Sequence, residues 1–160
     1  NWTPFRGFDL FATFRYTNAK MTVEREGGEQ ILVERPLTSR YKGLINIQYA
    51  VRRWVFDVTA QLNGPVRLPE LDGDLLKATE NPNLSPIYPM FFAQVSYKIS
   101  NLTLYLGCEN IANYVQGHKG HGQAPILGSE APFKEGFNSS AVWGPLMGRK
   151  FYIGLRLNLY

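Results

Sequence analysis

At 160 residues, with 44% hydrophobic and 14% aromatic side chains, the chain is far from the composition of a disordered segment. The 17 Lys plus Arg and 13 Asp plus Glu leave a net charge of +4 spread without a basic block, which argues against nucleic acid as a partner. The single cysteine, Cys108, excludes an intramolecular disulfide framework and a cysteine-built zinc site.

No run approaches the roughly 20 apolar residues of a membrane-spanning helix. The start at Asn1 carries neither Met nor a charged-then-apolar leader, so the natural N-terminus is expected upstream. A mean hydropathy of −0.22 does not exclude a transmembrane barrel, in which only every second residue meets lipid.

Strand-type alternation begins at Phe8, with Phe8, Leu10, Ala12, Phe14 and Tyr16 on one face and Asp9, Phe11, Thr13 and Arg15 on the other. Ile45, Ile47 and Tyr49 alternate with Asn46 and Gln48, and after a tight segment at Val51 to Arg53 the pattern resumes at Trp54, which predicts a hairpin. Trp54, Phe56, Val58, Ala60 and Leu62 then oppose Val55, Asp57, Thr59, Gln61 and Asn63. A second hairpin is predicted from Ala93, Val95, Tyr97 and Ile99 through a turn at Ser100 and Asn101 into Leu102, Leu104, Leu106 and Cys108. The last strand is predicted to run from Lys150 to Tyr160, with Phe151, Ile153, Leu155, Leu157 and Leu159 on its apolar side.

The result is an all-β reading: about six meandering antiparallel strands, each near the 9 to 11 residues that cross a bilayer core when tilted. Connections alternate between short and long, as in outer-membrane barrels with short periplasmic turns and long outer loops. The polar faces hold Asp9, Arg15, Asp57, Gln61, Gln94, Lys98, Glu109 and Arg156, a mixed-sign set suited to a hydrated or plugged lumen. Parity alone leaves open which face is inside.

Three segments carry a resemblance: ERPLTSRYKG at Glu34 to Gly43, GCENIANY at Gly107 to Tyr114, and FNSSAVWGPLMGRKFYIGLRLNLY at Phe137 to Tyr160. Together they resemble the C-terminal barrel of TonB-dependent outer-membrane receptors of the Bacteroidetes type. Asn110, Ile111 and Tyr114 match the end of that family's penultimate strand, and Gly148, Arg149, Phe151 and Tyr152 match the opening of its last one. The resemblance implies that residues 1–160 are the final strands of a plugged barrel of about 22 strands, with the plug and earlier strands outside the chain. It further implies an outer-membrane location, contact with lipid, recognition by the barrel-assembly machinery through the last strand, and energisation by TonB through an absent N-terminal part. The departure is at the terminus, where Leu159 and not the aromatic Tyr160 is in phase with the lipid-facing row; an overhanging Tyr160 or a bulge would account for it.

Other candidates are weaker. His118 and His121 in GHKGHG have metal-ligand spacing but no acidic or cysteine neighbour, so no metal is expected and a cargo-contacting loop is preferred. Asp57 and Glu109 invite a hydrolytic reading, but they lie on different strands with no separation that the sequence establishes, and a role as lumen-facing groups is preferred. Trp54 and Tyr97 fit an interfacial girdle, whereas Trp143 fits either an extended outer edge or a cargo-contacting loop. No catalytic motif or cofactor site is present, and the expected function is non-enzymatic uptake of a scarce solute such as a siderophore complex, cobalamin or glycan. The alternatives are a small closed barrel carrying an apolar ligand, which requires these strands to close on themselves, and an enzyme or adhesin on a small barrel.

Overall fold

The computed structural model describes residues 1–24, 28, 30–68, 84–117 and 142–159. Among them there is no helix, and the strands are β1 (Phe8–Tyr16), β2 (Lys20–Glu24), β3 (Gln30–Glu34), β4 (Tyr41–Val51), β5 (Trp54–Asn63), β6 (Tyr88–Ile99), β7 (Leu102–Glu109) and β8 (Lys150–Leu157). Six form one antiparallel sheet in the order β1-β4-β5-β6-β7-β8, and β2 and β3 pair separately.

β1 and β8 stand at opposite edges of this sheet, which is open. A small barrel closed by these strands alone is thereby corrected: β8 pairs only with β7, and β1 only with β4 apart from a bridge to Trp2, among the described residues. That bridge comes from the first residues folding back, so that Trp2 and Leu10 exchange backbone hydrogen bonds of 2.8 and 2.9 Å. Gly7 permits the fold-back: its φ is +85°, and a Cβ there would collide with the carbonyl of Ala50.

Two turns are two residues long. Val51 pairs with Trp54 around Arg52–Arg53, and Ile99 with Leu102 around Ser100–Asn101, with Arg52 and Ser100 both at positive φ. The remaining connections between sheet neighbours are long. The first contains the β2–β3 hairpin, inside a connection expected to be a long loop. Its pairing runs on through Arg35 N to Ala19 O at 3.0 Å, and Thr17 N to Arg40 O at 2.7 Å ties its base to the sheet.

The last strand stops at Leu157, short of the expected Tyr160. Its partner β7 begins at Leu102, opposite Leu157, so beyond that pair only the turn carbonyl of Asn101 is on offer, and Asn158 N takes it at 2.9 Å. Leu159 therefore lies past the strand and is 86% exposed, whereas Phe151, Ile153, Leu155 and Leu157 keep their places in it. Tyr160 lies outside the described residues.

The register places one side chain set on each face. The first face holds the apolar sets, from Phe8–Tyr49–Phe56–Val95–Leu106–Ile153 in one row to Leu10–Ile47–Val58–Ala93–Cys108–Phe151 in the next. No charged residue and no Asn, Gln, Ser or Thr falls on it. Aromatic side chains gather near its two ends: Phe8, Tyr49, Trp54, Phe56 and Tyr97 towards the short turns, and Phe14, Tyr16, Tyr41 and Phe91 towards the long connections. Trp54 packs on Tyr97 with ring centroids 4.6 Å apart.

Near the middle of the sheet exposure is inverted relative to a water-facing sheet, where apolar side chains are covered and polar ones are wet; towards its margins Asp9, Arg15, Lys98, Glu109 and Arg156 of the polar face are exposed. Ile45, Phe56, Val58 and Leu106 are 44–50% exposed, while on the opposite face Ser96 and Asn63 are buried and Asp57, Thr59 and Gln61 are half-buried. Among the described residues the buried hydrophobics are only Val66 and Tyr114, both in connections, and no large side chain is fully buried. A single layer with one bare apolar face has no core of its own.

Candidate functional site on the polar face

Polar side chains of neighbouring strands meet because antiparallel partners share a face. One row across the sheet reads Asp9, Gln48, Asp57, Gln94, Gly107, Tyr152. Asn46 Nδ2 lies 3.0 and 3.1 Å from the two carboxylate oxygens of Asp57 and 2.8 Å from Thr59 Oγ1. Gln94 Nε2 donates to Ser96 Oγ at 3.1 Å, and its carbonyl accepts from the Tyr152 hydroxyl at 3.1 Å. Gln61 Nε2 donates to Asn63 Oδ1 at 2.7 Å, and the buried Asn63 Nδ2 has no partner among the described residues.

Tyr105 and Tyr152 lie in T-shaped contact, centroids 6.3 Å apart, and each covers the glycine directly opposite it. Tyr152 faces Gly107 and Tyr105 faces Gly154 across the β7–β8 pair. A Cβ on either glycine would collide with the facing tyrosine ring, so both positions require glycine for this packing.

At the rim by the long connections, Asn110 forms a hub. Only 3% exposed and at φ +51°, it donates through Nδ2 to the carbonyls of Tyr114 at 2.7 Å and Met147 at 3.2 Å, and accepts from Tyr114 N at 2.9 Å. Asn113 Oδ1 accepts from Arg149 N at 2.8 Å, and Arg149 Nε donates to Ile111 O at 3.0 Å. A Cβ at Gly148 would strike Asn113 Oδ1. The two motifs NIANY and GR thus clasp each other, joining the end of β7 to the start of β8.

Tyr114 is stacked on Tyr88 with centroids 4.9 Å apart, and Trp143 packs 5.5 Å from Tyr88. Burial, followed by the charge Tyr88 would carry, raises the Tyr114 phenol above its ordinary 10.0. Gln116 Oε1 accepts from the backbone N–H groups of Trp143 at 3.0 Å and Gly144 at 2.9 Å. Trp143 is therefore anchored in the rim packing.

The sequence-selected residues are distributed over the polar face. Asp9 and Asp57 flank Gln48; Lys98 and Arg156 flank Thr103; Gln94 lies between Asp57 and Gly107; Arg15 faces Lys42; Gln61 lies between Leu44 and Met90; Glu109 faces Lys150. Asp57 and Glu109 are not brought together: β6 separates their strands, and the row of Asp57 crosses β7 at Gly107, two residues from Glu109. His118 and His121 lie outside the described residues. Among the described residues no group of three or more His, Cys, Asp or Glu could hold a metal ion. Tyr105 and Tyr152 fall on the polar face by strand parity; Gln116 carries no sequence signal, because its bonds go to backbone far along the chain.

Two hollows mark the sheet. One of about 610 Å³ lies mainly on the apolar face, where Ala12, Gly43 and Ala60 leave space between Phe14, Leu62 and Phe91. The other, of about 360 Å³, opens on the polar side at the rim, among Met90, Phe92, Glu109, Asn110, residues 145–148 and Lys150. No protein-family model, curated protein or solved structure matches the chain. What the geometry defines is a class: an open, all-β antiparallel sheet with one exposed apolar face and one hydrogen-bonded polar face.

Proposed function

We propose that this sheet is the C-terminal part of a TonB-dependent receptor barrel in a bacterial outer membrane, serving the uptake of a scarce solute such as a siderophore complex, cobalamin or glycan. The observation that carries the proposal is the inverted exposure: apolar rows face outward and polar rows hydrogen-bond on the other face. Water penalises that arrangement, whereas a bilayer outside and a hydrated lumen inside require it. β4, at 11 residues, extends about 34 Å, and a tilt of about 40° reduces this to about 26 Å, close to the height of a barrel's apolar band. The aromatic ends match interfacial girdles.

The edges support the same reading. A six-stranded strip does not close, and the β8 edge and the part of the β1 edge beyond Trp2 present backbone groups for further strands. Under this proposal those strands, the plug and the TonB-contacting segment belong to the complete receptor. The polar face, with Asp9, Asp57, Gln94 and Tyr152, lines its lumen, and the long connections are its outer loops.

Solubility tests the reading directly. The isolated chain is expected to aggregate in plain buffer and to need detergent, because the exposed apolar sheet has no cover. A folded, monodisperse 160-residue monomer in buffer would overturn the proposal. Loss of growth on a single iron, cobalamin or glycan source after deletion of the full-length gene would identify the solute.

A further inference from the structure

The rim hollow on the polar side combines two features rarely adjacent on this face. Its walls are apolar and adaptable: Met90 and Phe92 from β6, and Leu146 and Met147 from the segment entering β8. Met147 is 63% exposed, so this apolar surface is open. Beside it stand Glu109 and Lys150, direct cross-strand partners. No ion pair joins the two among the described residues, and an anionic and a cationic group flank the same apolar hollow.

We propose that this hollow binds a zwitterion bearing an apolar side chain, namely an amino acid or a short peptide, with its ammonium on Glu109, its carboxylate on Lys150 and its side chain among Met90, Phe92, Leu146 and Met147. The chemistry selects this class. A simple anion would meet Glu109 and a simple cation would meet Lys150, each as a like charge, and a neutral glycan would leave both charges unpaired against an apolar wall. Cross-strand Cβ atoms stand about 5 Å apart, a spacing that one α-ammonium and α-carboxylate bridge. Methionine thioethers adapt to side chains of different shape, and about 360 Å³ is within the range of small-ligand pockets, about 300 to 1,000 Å³. The inference deepens the receptor proposal, since it rests on the polar face being the lumen, and it adds a zwitterion to the solute classes that reading names.

The test is calorimetric titration of the complete receptor in detergent with the dipeptide phenylalanyl-leucine, its N-acetyl form and its C-amide. Free dipeptide is expected to bind, and each blocked form to bind at least tenfold more weakly. E109Q is expected to abolish the penalty of N-acetylation only, and K150M that of amidation only. Met147→Trp, which fills the hollow, is expected to remove binding of all three. No binding to a folded barrel overturns the inference and leaves the receptor reading standing, and so do penalties that E109Q and K150M do not separate. A chain that proves monodisperse in buffer removes both.

Discussion

Replacing Val58 by arginine distinguishes a bilayer from water around the apolar face. Val58 sits midway along the outward set of β5, between Ile47 and Ala93, and is 47% exposed in the sheet. On a water-exposed surface such a change stays within about 0.5 kcal/mol. At the midplane of a bilayer, arginine on the lipid face of a barrel costs about 2–4 kcal/mol, a shift of about 30-fold to several hundred-fold in the folding equilibrium. Depth supplies the control: Tyr16→Arg, at the aromatic end of β1, is expected to cost about 0–1 kcal/mol. Gln48→Arg, on the polar face between Asp9 and Asp57, is expected to be neutral or mildly favourable. Urea titration of folding into lipid vesicles measures all three. Equal small effects at Val58 and Tyr16 would refute the bilayer reasoning, because no depth-graded environment would then surround that face.

Asn110→Ala removes three hydrogen bonds at a 3%-exposed site and places a Cβ-bearing residue without a compensating amide at φ +51°. A loss of about 3 kcal/mol is expected by chemical denaturation, with Asn110→Asp recovering only part of it. Gly107→Ala should displace the Tyr152 ring and break its bond to Gln94, costing about 1 kcal/mol. In a Tyr152→Ala background the same change should be neutral or stabilising, and additivity in that double-mutant cycle would disprove the interlock. Because the Tyr114 phenol is raised, the folded state retains its proton where the unfolded chain has lost it. The corresponding stability is full below pH 10.0 and declines as pH rises through the higher folded value. Tyr114→Phe should flatten that alkaline decline in denaturation curves collected from pH 8 to 11.

The strands were legible because period-two alternation is a local property. Phe8–Tyr16 and Trp54–Asn63 appear in the structure with the bounds their patterns predicted. The orientation of the faces was not legible, since parity is symmetric; it becomes visible when side chains such as Asp57, Thr59 and Asn46 converge and lose exposure while Val58 and Ile47 do not. The β2–β3 hairpin escaped because KMTVE and QILVE are each only 5 residues long and have no two-residue turn between them. The end of β8 depended on a partner, and Leu159 falls outside because β7 starts at Leu102. NIANY and GR stood out as motifs, but their mutual clasp spans 36 residues from Asn113 to Arg149 and could not be read from either segment.

Register is where these devices act together. The two-residue turns fix the β4–β5 and β6–β7 pairings by geometry. The other three pairings are joined by long connections, which fix nothing by themselves, and each has a substitute at the rim. β1–β4 is held by Thr17 N to Arg40 O, and β5–β6 by the exchange between Val66 and Ser85, where Ser85 N donates to Val66 O and Val66 N to Ser85 Oγ, both at 2.9 Å. β7–β8 has the clasp of Asn113 and Arg149 and also the two tyrosine–glycine interlocks. That pairing needs the most, because a one-residue slip of β8 would carry Arg156 to the apolar face and Ile153 to the polar one. Arg156 lies one residue from the end of β8, where an arginine at a bilayer interface would cost about 0–1 kcal/mol, so the slip is opposed mainly by packing. A slip would set Tyr152 and Tyr105 against residues other than glycine, so the tyrosine–glycine fit and the separation of apolar from polar faces enforce the same alignment of β8.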